Sequence, residues 1–168
     1  MDIQQQELQK AIEFVRQTFA EKNQHLDFSP ASVKHLDTLF DNEFKNGQLK
    51  KADSSFAKFQ GLIMTGVSGY IAQVIMKNTG NTQIVINPSD EKWFMSFKLT
   101  SASGNFVQPG LRVVKRMLKG EELSLHDYVL FCIPYFLQSP SAQNLSPDSA
   151  AFENSHRPAN KPWWKFWP

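Results

Sequence analysis

The sequence is poor in the residues that usually build metal sites. It has one cysteine and four histidines in 168 residues. A single cysteine, Cys132, excludes an intrachain disulfide and a cysteine-rich zinc site. The sequence also lacks a His-x-x-x-His spacing and an Asp/Asn-rich calcium loop. We therefore expect neither a metal nor another cofactor.

A strong excess of charge of either sign is also missing. The formal net charge is +2, which is too small a bias to predict nucleic-acid binding. Any binding signal based on charge must therefore be local. The amino terminus has neither the basic start nor the apolar run of a secretory signal, so we expect a cytoplasmic protein.

Signals of catalysis are scarce. Cys132 lies in an apolar segment, where a thiol behaves as a small apolar group. His35 lies near Asp37 and Asp41 in a helical pattern, which is typical of a solvated helix face. We expect a protein that is not an enzyme. The rival hypothesis is a small-molecule-binding domain or enzyme with a pocket between the sheet and the central helix.

The stretch of residues 56–77, which has no charged residue between Lys58 and Lys77, predicts a buried central helix. Its apolar residues recur at steps of three and four, as Phe56, Phe59, Ile63, Val67, Tyr70 and Val74. A second stripe of small residues predicts a close neighbour on the other side, and comprises Gly61, Thr65, Ser68, Gly69 and Ala72. The uncharged part is at the short limit of the roughly 20 residues that a bilayer needs. We do not expect a membrane span.

Two helices are predicted before this stretch. Residues 3–22 have a narrow apolar stripe. In the next helix, Ser29 is the expected cap, Pro30 occupies the first position, and Gly47 ends the helix. Its predicted buried face comprises Val33, Leu36, Phe40 and Phe44.

The segments after the central helix predict a sheet and then two more helices. Residues 83–87 are rich in β-branched side chains, residues 93–99 alternate between apolar and polar, and residues 105–108 form a short third strand that ends at Pro109. Short turns between them predict a three-stranded antiparallel meander. The first following helix has Leu111, Val114 and Leu118 on its inner face and ends at Gly120. The second, capped by Ser124, is apolar on all sides up to Pro134, so we expect it to be buried.

The predicted fold class is therefore α+β. It has two N-terminal helices, a buried central helix, a three-stranded antiparallel meander, two C-terminal helices and a flexible tail. Residues 1–138 form a single domain in this prediction. A proline-rich composition predicts a flexible linker over residues 139–160, followed by an aromatic and basic terminal peptide over residues 161–168.

Short motifs are spread over residues 26–128. They are Leu26-Asp27-x-Ser29-Pro30-x-Ser32-Val33, Leu36-Asp37, Tyr70-Ile71-Ala72-Gln73-Val74-Ile75, Pro109, Val114-Lys115-Arg116, Gly120, and Ser124-Leu125 with Tyr128. Through these motifs the chain resembles a family of uncharacterised bacterial domains. The resemblance implies an α+β domain with no established activity. Such domains tend to have Gly-Glu-Val where this chain has Ala72-Gln73-Val74, which puts in doubt any site that needs that carboxylate.

One helix has a basic stripe. Four cationic side chains recur on it at steps of three and four, namely Arg112, Lys115, Arg116 and Lys119. Such a stripe is a candidate site for phosphate or for an acidic partner surface. The alternative is an ordinary solvated face whose aliphatic stems cover the core.

The terminal peptide is the sharper binding signal. It contains three of the four tryptophans beside two lysines, and its candidate binding residues are Lys161, Trp163, Trp164, Lys165, Phe166 and Trp167. Each tryptophan can bury on the order of 200 Å². These rings have three destinations, namely a groove on the same domain, a partner protein, or a bilayer surface. Two lysines give weak lipid attraction, about 1 kcal/mol each, so we favour a partner protein.

The sequence thus predicts a bacterial, cytoplasmic, non-enzymatic protein-interaction module of the toxin-immunity or adaptor type. The terminal peptide is the predicted contact with an unidentified protein. Weak peripheral membrane association through the tail and a small-molecule site are the alternatives, and the sequence predicts no oligomeric state.

Overall fold

The computed structural model describes residues 3–45 and 47–137, without the side chains at positions 121 and 122. The predicted linker and terminal peptide lie outside these residues. The described part has an α+β fold with helices on both sides of a long central helix.

The helices and strands follow the predicted order with two additions. The N-terminal elements are α1 (Ile3–Ala20), a 3-10 turn (Pro30–Ser32), α2 (Val33–Glu43), β1 (Phe44–Lys45) and β2 (Gln48–Leu49). The central elements are α3 (Ser55–Lys58), α4 (Gln60–Thr79), β3 (Thr82–Val85), α5 (Trp93–Ser96), β4 (Lys98–Ser101) and β5 (Phe106–Val107). The C-terminal elements are α6 (Pro109–Lys119), a 3-10 turn (Gly120–Leu123) and α7 (Leu125–Leu137). The additions are the hairpin β1–β2 and the short helix α5.

The prediction of a buried central helix is confirmed for α4. It packs against α1, α6 and α7, and Val67, Tyr70 and Val74 are fully buried. The helix begins later than predicted, because the Ser54 hydroxyl accepts a hydrogen bond from the Ala57 amide and caps a separate helix, α3. Phe59 lies at the junction and is exposed, so its predicted burial is wrong.

The close neighbour of α4 is α1. A Cβ atom at Gly66 would clash with the Ala11 carbonyl oxygen, and one at Gly69 would lie 2.6 Å from the Leu8 side chain. Glycine is therefore needed at Gly66, where the backbone of α1 approaches α4, while Gly69 faces side chains of α1. The predicted apolar stripe of α1 is confirmed, since Leu8, Ala11, Ile12, Val15 and Phe19 are all buried.

The predicted antiparallel meander is confirmed in the order β3-β4-β5. Ile84 pairs with Leu99, and Leu99 pairs with Val107. The predicted strand over residues 93–99 is wrong in its first half, where α5 lies. The Asp90 carboxylate accepts hydrogen bonds from the Lys92 amide and the Ser96 hydroxyl, and these local bonds favour a helical turn.

The end of the second predicted helix is also different. Phe44 is not helical but begins the hairpin β1–β2, and Gly47 turns that hairpin with φ at 75°. A Cβ atom at Gly47 would lie 2.8 Å from the Leu118 carbonyl oxygen. The hairpin therefore rests on the backbone of α6. The predicted Ser29 cap is confirmed, because its hydroxyl accepts a hydrogen bond from the Ser32 amide.

The last two helices depart from their predicted burial. Leu118 on α6 is exposed. Helix α7 continues through Pro134 and packs one side against α2 and α4, while its other side is exposed at Leu130, Phe131, Pro134 and Leu137. Within the described residues, none of the helices is both long and apolar enough to cross a membrane.

Candidate functional site

Asp37 on α2 joins three helices. One carboxylate oxygen accepts hydrogen bonds from the Arg116 Nε (2.8 Å) and the Leu125 amide (2.8 Å). The other accepts from the His126 amide (2.9 Å) and the Ser124 hydroxyl (3.1 Å). Because these amides belong to the first turn of α7, Asp37 caps this helix while it also neutralises Arg116.

Arg116 on α6 is buried, with 2% of its side chain exposed. Its Nη2 donates to an Asp41 carboxylate oxygen at 2.5 Å and to the Asp37 carbonyl at 3.2 Å. Burial alone lowers the pKa of this guanidinium, but the two aspartates outweigh burial and leave the pKa above its ordinary value. Arg116 is therefore a fixed cation. The remaining amino group, Nη1, has no hydrogen-bond partner among the described residues.

The four residues of the predicted basic stripe do not form one exposed surface. Arg112 donates to the Ser124 carbonyl, and its guanidinium lies 5.1 Å from the centre of the Tyr128 ring. Lys115 is half-buried, and Lys119 is exposed at the end of α6. The stripe is thus divided between contacts with α7, the aspartates of α2, and solvent.

A cavity of about 500 Å³ lies between the hairpin β1–β2, α2 and the end of α6. Its described lining includes four cationic side chains, Lys45, Lys50, Arg116 and Lys119, and one carboxylate, Asp41. The apolar part of the lining is Phe40, Phe44 and Met117. We call this feature the basic cavity. It brings Arg116 and Lys119 from the predicted stripe together with two lysines of the hairpin.

The two hairpin lysines were not among the predicted site residues. Lys50 donates from Nζ to the Asp41 carbonyl at 2.5 Å, and Lys45 has no ion pair within the described part of the chain. In the sequence, both lysines lie in a segment that predicts the end of a helix followed by a polar connection. Only the hairpin turn at Gly47 directs this segment toward α6.

A second polar cluster surrounds the Tyr70 hydroxyl and is buried. This oxygen accepts a hydrogen bond from the Phe28 amide at 2.8 Å and lies 2.6 Å from the Ser32 hydroxyl. The Phe28 ring stacks on Tyr70 at 4.9 Å and lies under the Lys77 ammonium at 4.0 Å. Burial raises the pKa of the Tyr70 phenol. The phenol is inaccessible, so this cluster fixes the segment between α1 and α2 rather than forming an open site.

The third feature is the exposed side of α7. We define the α7 apolar face as Leu130, Phe131, Pro134 and Leu137, which lie within one side of the helix. Leu130, Phe131 and Leu137 are 48%, 52% and 59% exposed. The predicted docking residues Lys161 to Trp167 follow in the sequence but lie outside the described residues.

Other candidate groups are separate from these features. Cys132 is buried on the inner side of α7, as predicted for a small apolar residue. His35 is half-buried on α2. Among the residues that the structure describes, histidine, cysteine and carboxylate side chains form no cluster of three that could hold a metal ion.

Comparison with known proteins adds no relationship. Neither a protein-family model, nor a curated protein, nor a solved structure matches this chain. The resemblance to uncharacterised bacterial domains therefore stays a prediction.

Proposed function

We propose that this chain is a non-enzymatic protein-interaction module that works in the bacterial cytoplasm, as a toxin-immunity or adaptor protein. The observation that carries this proposal is the α7 apolar face. Three large apolar side chains on one helix are each about half exposed, and clustered apolar side chains of this kind are typical of docking surfaces.

The position of this face in the chain supports a two-part contact. Its last residue, Leu137, directly precedes the segment that ends in the aromatic and basic terminal peptide. The predicted linker would allow the peptide and the α7 apolar face to contact the same partner, and linked contacts increase each other's effective concentration. Tryptophan is also one of the residues enriched among the side chains that contribute most to binding at protein interfaces.

The proposed partner is a protein with an apolar groove bordered by acidic side chains. The groove would cover Phe131 and receive the indole rings, while the acidic border would attract Lys161 and Lys165. The competing destinations are a groove on the same chain and a lipid surface.

Photo-crosslinking tests this proposal directly. A photoreactive residue is introduced at Phe131 or at Trp164 of the full chain, in cells that naturally produce it, with an exposed α1 position, Lys10, as the control. We expect positions 131 and 164 to capture the same protein and position 10 not to capture it. Cross-links that join positions 131 and 164 of one chain would overturn the proposal in favour of a folded-back tail.

Reconstitution with the captured protein provides the second arm. Phe131→Ser and truncation after Ser139 should each weaken binding about tenfold or more, while Lys10→Ser leaves it unchanged. Truncation should leave the melting temperature almost unchanged, because the tail is proposed to contact the partner. A large fall in melting temperature would instead support contacts between the tail and its own domain.

One observation supports the alternative of a small-molecule-binding domain. It is the basic cavity, which lies away from the position predicted between the sheet and the central helix. Its lining indicates what it would bind.

A further inference from the structure

We propose that the basic cavity binds a phosphate monoester. The phosphate group lies among the four cationic side chains of the lining, and the organic part lies on Phe44 and Met117. This inference goes beyond the proposed protein interaction, because it concerns a different surface and a different ligand.

The charges of the lining support an anionic ligand. Four described cations face one described carboxylate, Asp41, although the whole chain has a net charge of only +2. Asp41 already accepts the Arg116 hydrogen bond. Lys45 and Lys119 have no ion pair within the described residues. Like charges that share a cavity repel one another, and a bound dianion would relieve this repulsion.

Arg116 supplies a preorganised donor at the inner side of the cavity. Its Nε and Nη2 groups are held by Asp37 and Asp41, so the guanidinium cannot turn away when a ligand is absent. The Nη1 group has no described partner and belongs to a side chain that lines the cavity. A donor that is already fixed loses little conformational entropy on binding.

The backbone fixes the other cations around the cavity. A Cβ atom at Gly47 would lie 2.8 Å from the Leu118 carbonyl oxygen, so the hairpin that carries Lys45 and Lys50 packs closely against α6. The Lys50 amide also donates to the Glu43 carbonyl at 2.8 Å, which ties the end of the hairpin to α2. Lys119 approaches from the last turn of α6.

The dimensions and the apolar lining indicate more than a bare ion. Pockets for small organic ligands typically measure about 300–1,000 Å³, and this cavity measures about 500 Å³. Phe44 lines the cavity, is half-buried and stacks on Phe40 with 5.9 Å between the ring centroids. A ligand with a phosphate and a flat organic group matches both parts of the lining.

A phosphate monoester fits better than a carboxylate. Once Arg116 is paired with Asp41, the lining still has three lysines and no further described carboxylate. A phosphate monoester carries close to two negative charges at neutral pH, and lysine binds phosphate as a compact point charge. A monoanionic carboxylate would neutralise less of the same charge.

Calorimetric titration of the full-length protein with phenyl phosphate tests the proposal. We expect the affinity for phenyl phosphate to be at least about tenfold higher than the affinity for inorganic phosphate, phenylacetate or benzyl alcohol. The double variant Lys45→Gln/Lys119→Gln should weaken this binding about tenfold or more. Lys10→Gln/Lys22→Gln makes the same change in net charge at two exposed residues outside the cavity lining and should leave the affinity unchanged.

Two outcomes would overturn the proposal. One is the absence of phenyl phosphate binding, and the other is an equal loss of affinity in both double variants, which would indicate nonspecific attraction. Circular dichroism of each variant confirms that the fold is retained.

A phosphotyrosine peptide distinguishes the two sources of this chemistry. Tighter binding of the peptide than of phenyl phosphate assigns the cavity to phosphorylated protein segments. Weaker binding of the peptide assigns it to free small molecules. Failure of phenyl phosphate to bind would leave the cross-links expected from Phe131 unchanged, so the two proposals fail separately.

Discussion

Asp37 shows how one side chain acquires two structural functions from its neighbours. Its carboxylate caps the first turn of α7 and neutralises the buried Arg116 at the same time. The helical spacing of the sequence predicts a solvated face for Asp37 and an exposed stripe for Arg116. Both interpretations are wrong because the two residues are 79 positions apart, and the chain brings them together only when α2, α6 and α7 pack.

Asp37→Asn should destabilise the protein strongly. The substitution leaves Arg116 buried with less compensation and weakens the cap of α7, so we expect a loss of about 3 kcal/mol in the free energy of unfolding. Urea unfolding measures the loss. Asp41→Asn is the control with a smaller expected loss, since 39% of the Asp41 side chain is exposed against 15% for Asp37.

A loss below about 1 kcal/mol for Asp37→Asn would contradict the structural importance of this pair. Adding Arg116→Met to Asp37→Asn provides a further check. The second substitution should restore part of the stability, because it removes the poorly compensated buried charge.

Tyr70 is the other residue whose chemistry depends on burial. Its phenol belongs to a side chain with no exposed surface, and it accepts a hydrogen bond from the Phe28 amide. Removing the hydroxyl would leave that amide and the Ser32 hydroxyl with one partner fewer, which typically costs about 1–3 kcal/mol.

The raised pKa of Tyr70 predicts a specific alkaline instability. Burial raises the pKa of the folded phenol above its ordinary value of 10.0. The stability that depends on the neutral phenol is therefore fully present below pH 10.0 and is lost as the pH rises through the folded pKa. The unfolding free energies of the wild type and Tyr70→Phe should therefore approach each other as the pH rises above 10.0. Parallel pH curves for the two proteins would show that Tyr70 does not titrate with unfolding.

At the scale of elements, the packing of α1 on α4 depends on two glycines that meet different atoms. The Cβ position at Gly66 is blocked by the Ala11 backbone, whereas that at Gly69 is blocked by the ends of the Leu8 and Ile12 side chains. A clash with the backbone is relieved only when the whole helix α1 shifts, whereas a clash with a side chain is relieved when that side chain changes its rotamer. The two positions should therefore respond differently to the same substitution.

Gly66→Ala should destabilise the protein by about 1–3 kcal/mol through overpacking. Gly69→Ala should be close to neutral, because displaced side-chain ends are offset by a gain of about 1 kcal/mol in helix propensity. Thermal unfolding compares the two variants directly. Equal effects at both positions would contradict the close backbone approach at Gly66.

At the scale of the whole molecule, the proposed binding features lie at separate places. The basic cavity is formed by α2, the hairpin and α6, while the α7 apolar face ends where the chain continues into residues 138–168. Asp37 connects the two regions, since it holds Arg116 beside the cavity and caps α7. A substitution that removes the Asp37 carboxylate would therefore affect both the basic cavity and the α7 apolar face.

Liposome flotation separates a protein partner from a lipid surface. We expect the full chain and the chain truncated after Ser139 to float equally weakly with anionic vesicles, because two lysines contribute only about 1 kcal/mol each. Replacing Lys161 and Lys165 by glutamine should then change nothing. Strong flotation of the full chain alone would favour a membrane function for the terminal peptide.

Local patterns were sufficient for the elements that neighbouring residues specify. The stripe Leu8 to Phe19, the Ser29 cap, the Gly120 end of α6 and the β3-β4-β5 meander follow from spacing and from residues within one turn. The sequence does not predict α5, because the apolar alternation from Trp93 is a stronger pattern than the local hydrogen bonds that Asp90 accepts from the Lys92 amide and the Ser96 hydroxyl.

The basic cavity and the pairing of Arg116 required the folded chain. Asp41 and Lys45 lie in one segment, whereas Arg116 follows Asp41 by 75 positions, and no spacing in the sequence relates the two segments. Periodicity indicates which side of a helix is apolar, but α7 is apolar on all sides, so only packing against α2 and α4 leaves Phe131 exposed. Hydrogen bonds and propensities act within a few residues, whereas burial and ion pairing depend on which distant segments share the core.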